Sequence, residues 1–324
     1  MSDRKTADRK KELLTAFRRG ERRALSRMLT MVANRSEGIN GMLDDLFSLT
    51  GQAWRIGITG PPGAGKSTLV NQLVGLYRKQ DLSIGVVAFD PTSPFTGGAL
   101  LGDRVRMEMI SQDPGVFIRS LATRGHLGGL AIGVDESCDL MDAFGKQRVL
   151  IETVGVGQSE LEVADSADTT IVVLVPQSGD AIQAMKAGLM EIADIFVLNK
   201  CDREDAKRAY QELISILNLK EPQEGWRPPV IRTIAEKGDG VDELMATIDR
   251  HREHLVTTDR LAERRSKRYK AKIRQLVEDD LHQRLWRTER KRESGKGFEG
   301  GRSPYSLAKR LIDDFYEEIR DDES

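Results

Sequence analysis

The sequence predicts an α/β fold with a mostly parallel central sheet, flanked by helices at both ends of the chain. Three observations lead there. Between residues 51 and 257, short apolar runs alternate with helix-length stretches, the pattern of parallel strands joined by crossover helices. Directly after the first run stands Gly60-Pro61-Pro62-Gly63-Ala64-Gly65-Lys66-Ser67, a glycine-rich turn of the kind that joins a strand to a helix. Outside this middle piece, Leu13, Leu14, Phe17, Leu25, Met28, Leu29 and Val32 near one end recur at helical spacing, as do Ile273, Leu276, Val277, Leu281 and Leu285 near the other.

Taken in order, residues 1–50 read as an N-terminal helical extension. The middle piece, 51–257, offers strands at 55–59, 84–89, 116–119, 148–151, 169–175, 195–198 and 230–233. Helical stretches fall between several of them, at 67–79, 100–111, 179–192, 203–217 and 241–254. Residues 258–324 form a third, helical piece. Its last helix opens at Ser303-Pro304-Tyr305, where a serine can cap and a proline suits the first turn.

The 324 residues suffice for one large domain with appendages or for two domains. The longest apolar stretch, around 171–175, is far short of the roughly 20 residues of a membrane helix, so no membrane partner is expected. The first residues are basic without an apolar run and include Asp3, Asp8 and Glu12, which argues against a secretory signal. With Cys138 and Cys201 as its two cysteines, the chain has at most one disulfide and no cysteine metal cage, and a cytoplasmic location is expected. The net charge of -1 conceals a segregation. Residues 1–50 carry 11 basic and 7 acidic groups, 51–257 carry 21 and 29, and 258–324 carry 18 and 15, giving +4, -8 and +3. The basic run from Arg264 to Arg274 belongs to a stretch, Arg260 to Arg292, of 13 basic and 5 acidic residues, so acids flank it, and no aromatic stacking platform accompanies it. The arrangement reads as a solvated helical face rather than a nucleic-acid surface.

The turn from Gly60 to Ser67 fits G-x-x-x-x-G-K-[ST] in the context that gives the motif meaning, after a strand and before a helix. Its glycines let backbone N–H groups turn inward around phosphate oxygens, and the helix beginning near Ser67 and Thr68 directs its positive end at the same anion. Lys66 is expected on the β- and γ-phosphates and the Ser67 hydroxyl on Mg2+. Asn199-Lys200-Cys201-Asp202 follows a later strand and has the form N-K-x-D. The Asp202 carboxylate can accept from N1–H and the 2-amino group of guanine, whereas adenine offers neither, so GTP is the expected nucleotide. Asn199 would tie this loop to the phosphate loop, or merely cap the next helix, and the Lys200 stem would cover the base. Ile234 stands where a serine is usual in such sites, leaving a backbone contact from Ala235.

Glu152-Thr153-Val154-Gly155 resembles a D-x-x-G switch with Glu for Asp. Glu152 would reach a magnesium-bound water, Gly155 N–H would sense the γ-phosphate, and Gln158 is a candidate for placing the attacking water. Asp90 and Asp103 are further carboxylates suited to Mg2+, or turn-formers.

Together these segments resemble the MeaB/ArgK GTPases, which include the methylmalonic aciduria type A proteins. The resemblance covers about residues 5–320. It rests on Gly60 to Ser67, on DPTSPFTGGALLGDRVRM from Asp90, on ETVGVGQSE from Glu152, on QSGDAIQAMKAGLMEIA from Gln177, and on Asn199 to Asp202. It implies a P-loop GTPase that serves as a homodimeric chaperone of an adenosylcobalamin-dependent acyl-CoA mutase, usually methylmalonyl-CoA mutase, gating cofactor loading and protecting or reactivating the enzyme. An adenosyltransferase is a further implied partner, and adenosylcobalamin is expected on the mutase. The resemblance also implies that Asp90, Asp103 and Glu152 surround Mg2+, that Lys186 lies in a nucleotide-responsive switch, and that the C-terminal helices are a dimerisation arm. Rival readings are a metal-insertion GTPase and a transport-system kinase. The first commonly carries Cys/His clusters; here His251 and His254 are only a pair on a charged helix and are expected to be solvated.

Overall fold

The sheet at the centre of the computed structural model is built from strands β1 (Trp54–Thr59), β2 (Ile84–Asp90), β3 (Val116–Ala122), β4 (Arg148–Glu152), β5 (Thr169–Leu174), β6 (Ile195–Leu198) and β7 (Val230–Arg232). The structure describes residues 2–90, 112–122, 133–153, 159–176, 188–219, 225–286 and 303–322. Among them the strand order is β3-β2-β4-β1-β5-β6-β7, and every neighbouring pair runs parallel. The "mostly parallel" expectation is thus met by a fully parallel sheet. Such a sheet needs both faces covered, and accordingly every residue of β1, β4, β5 and β6 is buried.

Alternation along the strands divides the core in two. Ile56, Ile58, Val86, Leu150, Ile171, Val173, Ile195 and Val197 point to one face, under α4 (Lys66–Lys79) and α9 (Val241–Thr257). Val87, Phe89, Val149 and Ile151 point to the other, under α1 (Ser2–Arg18), α2 (Arg22–Ala33), α3 (Ile39–Leu46) and α5 (Val134–Ala143). On that same side α6 (Ser159–Ser166) contributes Val163. Beyond it Val172, Leu174, Phe196 and Leu198 meet α7 (Leu189–Ile192) and α8 (Ala206–Asn218). The N-terminal helices are therefore part of the core. Leu25, Met28 and Leu29 are fully buried, and at roughly 1.5–3 kcal/mol per fully buried apolar side chain they contribute as much as strand residues do.

Asp142, in the last turn of α5, fixes the junction between that helical layer and the sheet. Its carboxylate accepts from the backbone N–H of Gly51 (2.7 Å), Gln52 (3.2 Å) and Ala53 (2.8 Å), three successive donors leading into β1. The expectation for the histidines is corrected. His251 is fully buried, with Nδ1 2.9 Å from Thr169 Oγ1, Nε2 3.3 Å from Asp194 Oδ1, and the Trp226 ring 4.9 Å away. An i, i+3 pair on a charged helix looks solvated in sequence; here one of the two faces the sheet and takes polar partners from β5 and the turn before β6.

Residues 1–262 form one unit and 263–324 a second. The second contains most of α10 (Arg260–Leu285) and all of α11 (Pro304–Asp322). Helix α10 buries none of its residues, and Tyr269, Ile273, Leu276, Val277 and Leu281 are all exposed. On α11 Leu311 is buried, whereas Tyr305, Ile312 and Tyr316 are exposed. No helix among the described residues is long and apolar enough to cross a membrane.

Candidate nucleotide-binding site

Because all seven strands run the same way, the segments leaving β1, β2, β4, β6 and β7 emerge at one edge of the sheet, where open α/β sheets bind ligands. The loop from Gly60 to Gly65 leaves β1 and ends on α4. Gly60 (φ 134°) and Gly65 (φ 93°) adopt conformations that residues with a side chain rarely take up, and contact reinforces the preference. A Cβ on Gly60 would lie 2.1 Å from the Val173 carbonyl oxygen, and one on Gly65 2.3 Å from Asn199 Nδ2. Lys66 is buried, and its Nζ donates to the carbonyls of Gly60 (2.8 Å) and Pro61 (3.0 Å), so the ammonium is folded back over its own loop. Ala64 is buried, Pro62 and Gly63 are exposed, and Thr68 is half-buried in the first turn of α4.

Ser67 and Glu152 meet: the serine hydroxyl donates to Glu152 Oε1. Glu152 is the last residue of β4, beside β1 in the sheet, with Ile58 in register with it. Next to this pair Thr153 Oγ1 donates to Thr59 Oγ1 (3.1 Å), a buried hydroxyl bridge across the same two strand ends that sequence reasoning had no signal for. A hydroxyl beside a carboxylate is an all-oxygen donor pair, which fits a hard cation such as Mg2+. Asp90 closes β2 two strands from β1, its side chain being outside what is described. Asp103, Gly155, Gln158 and Lys186 lie outside the described residues.

The N-K-x-D segment is bound to the phosphate loop by hydrogen bonds. Asn199 Nδ2 donates to the Ala64 carbonyl (2.8 Å), and its Oδ1 accepts from Thr233 Oγ1 (3.0 Å) and Ala235 N–H (3.0 Å). One buried amide therefore joins three loops, and the Ala235 N–H is engaged with it. Lys200, held at φ 59°, sends Nζ to the Gly63 carbonyl (2.8 Å). A non-glycine residue in that region is uncommon and is maintained by surrounding contacts. Asp202 is exposed just beyond, in the turn before α8. Cys201 Sγ donates to the Leu198 carbonyl (3.0 Å), and burial pushes its thiol up, away from nucleophilic character. One carboxyl not singled out from sequence also belongs to this region. Glu160, in the first turn of α6, is pushed up by burial while the charge of Lys66 pulls it down. Its signal was available within ETVGVGQSE.

The family model described as methylmalonyl Co-A mutase-associated GTPase MeaB matches residues 25–290. A Pyrococcus abyssi protein named as a candidate GTPase is 51% identical over 269 residues, covering 82% of this chain and 83% of its own. The GTPase ArgK of Escherichia coli is 35% identical over 288 residues, 86% of each chain. The mouse mitochondrial methylmalonic aciduria type A homolog is 34% identical, covering 83% of this chain and 69% of its own. Among solved structures, that of a LAO/AO transport system kinase superposes with a TM-score of 0.68 at 27% identity, covering 94% of this chain and 96% of that one. A sheet with these loops at its carboxyl edge, and relatives of this extent, lead to one conclusion: the chain belongs to the MeaB family of GTPases and is a P-loop GTP hydrolase.

Proposed function

We propose that this GTPase is the chaperone of an adenosylcobalamin-dependent acyl-CoA mutase, that the mutase is methylmalonyl-CoA mutase, and that GTP hydrolysis gates loading and repair of its cofactor. The observation that carries the reading is the family match over residues 25–290, since that family is described by its association with this mutase. The name of the mouse relative points to the same metabolism. An adenosyltransferase is a natural third member of the assembly, and adenosylcobalamin belongs to the mutase.

In this reading Gly60 to Ser67 and Thr68 wrap the phosphates with backbone N–H groups at the positive end of α4. Lys66 exchanges its loop carbonyls for β- and γ-phosphate oxygens, the charge stabilisation that phosphoryl transfer needs most. Ser67 and Glu152, with Asp90 and Asp103, would hold Mg2+, which supplies positive charge to the phosphates. Asp202 reads guanine, while Asn199 keeps base loop and phosphate loop at a fixed spacing and Lys200 covers the base. The segments carrying Gly155, Gln158 and Lys186, which follow β4 and β5 in the sequence, would report the γ-phosphate to a partner. A homodimer is supported by the exposed apolar residues of α10 and α11.

The test is co-purification with methylmalonyl-CoA mutase together with GTP turnover. A complex at micromolar concentration and faster hydrolysis in it are expected. Absence of any complex removes the chaperone reading and leaves the hydrolase untouched.

A further inference from the structure

Glu160 stands on α6, which leads from the end of β4 back to the start of the parallel strand β5 and therefore begins at the nucleotide edge of the sheet. One face of this segment lies directly on β1. A Cβ built on Gly57 would be 2.8 Å from Val163 Cγ2 and 3.0 Å from Ala167 Cβ, so nothing larger than glycine fits beneath it. Residues 160 and 163 are at i, i+3 on the helix, the spacing that puts two residues on one face, and Ala167 directly follows its last turn. Glu160 is one turn nearer the phosphate loop than Val163, about 4.5 Å along the helix axis. Its side chain is half-buried and lies within the field of Lys66. The close Gly57 contact fixes the height of the helix, and with it the position of this carboxyl.

The helix dipole by itself favours the charged form of a first-turn glutamate. Glu160 departs from that: burial is the largest influence on it and raises its proton affinity. Glu152, at the end of β4, is already engaged: its Oε1 accepts from the Ser67 hydroxyl. We propose that Glu160 orients the water attacking the γ-phosphate of GTP and receives its proton. The water oxygen forms the new bond to phosphorus while the bond to the β,γ-bridging oxygen breaks. GDP leaves with that electron pair, and the proton passes to the Glu160 carboxylate and then to phosphate or solvent. A carboxylate at this position suits the step, because a general base must both take the proton from water and release it afterwards. The inference rests on the phosphate-loop reading, which places the γ-phosphate at Lys66.

The experiment is single-turnover hydrolysis of GTP by the full chain between pH 5 and 8.5, with affinity for a fluorescent GTP analogue measured in parallel. Glu160→Gln is expected to slow hydrolysis of bound GTP on the order of 100-fold, to leave affinity unchanged, and to abolish the acid limb of the rate profile. Glu160→Asp, which keeps the carboxylate on a shorter stem, should retain that limb at a reduced rate and guards against a folding failure of the first variant. The proposal is overturned if Glu160→Gln hydrolyses bound GTP at an unchanged or higher rate, if its acid limb persists, or if the loss is one of affinity. Lys66→Ala separates the two readings: GTP turnover retained in that variant removes the phosphate-loop assignment itself, whereas its loss beside an active Glu160→Gln removes only the role of Glu160.

Discussion

Lys146 shows how a residue far from the motifs carries a pH dependence that sequence does not announce. It precedes β4, is buried, and donates through Nζ to the Gly115 carbonyl (2.9 Å). Burial, with Arg22 and Arg78 nearby and only Asp113 opposing, lowers its pKa from 10.5 to about 8. Between those values the unfolded chain holds a proton that the native chain has released, so the contribution of Lys146 to stability rises with pH across the window. Lys146→Met removes that rise. Urea unfolding at pH 7.5 and pH 10 should therefore show the variant losing ground to the parent at the higher pH, by about 1 kcal/mol or more. A gap independent of pH would refute the assignment. Legibility at this scale depends on the kind of chemistry. Lys66, Ser67, Asn199 and Asp202 stand out in the sequence as candidates because phosphate and guanine demand particular residues at particular spacing. Thr59 with Thr153, and Asp194 with His251, could not, because those partners are 94 and 57 positions apart and meet only once the strands are in register.

At the scale of elements, strands are legible in the sequence because a parallel sheet buried on both faces leaves short, nearly unbroken apolar runs; β6 falls on 195–198 as expected. What the pattern could not show is which element each helix covers, and so that the N-terminal helices complete one face of the sheet. The Asp142 carboxylate is where this arrangement is most exposed to mutation. Asp142→Ala leaves the N–H groups of Gly51, Gln52 and Ala53 without their acceptor. A loss of about 3 kcal/mol in unfolding free energy is expected, with Asp142→Asn intermediate because it keeps one acceptor oxygen. Denaturant titration checks this, and equal stability of parent and Asp142→Ala would show that the junction is held by packing alone.

For the whole molecule, the uneven charge and the uneven burial now bear on one question. The acidic middle piece carries the nucleotide loops, while the basic-leaning C-terminal piece contains a 26-residue helix with no buried residue. Ile273, Leu276, Val277 and Leu281 follow spacings of three, one and four, which puts them along one side of α10. They remain 42–52% exposed. An apolar stripe on a helix otherwise dense in Arg and Lys is the pattern of a helix that meets a partner, since its charges keep it soluble and its stripe supplies association energy. A second copy of the chain presents the same stripe, as a two-fold interface requires. Replacing Ile273 and Val277 together by Glu places like charges on both sides of such an interface. Sedimentation is expected to report a dimer for the parent and a monomer for the double variant, with GTP affinity retained because no nucleotide loop is touched. A parent that sediments as a monomer, or a double variant that remains dimeric, would remove α10 from the interface.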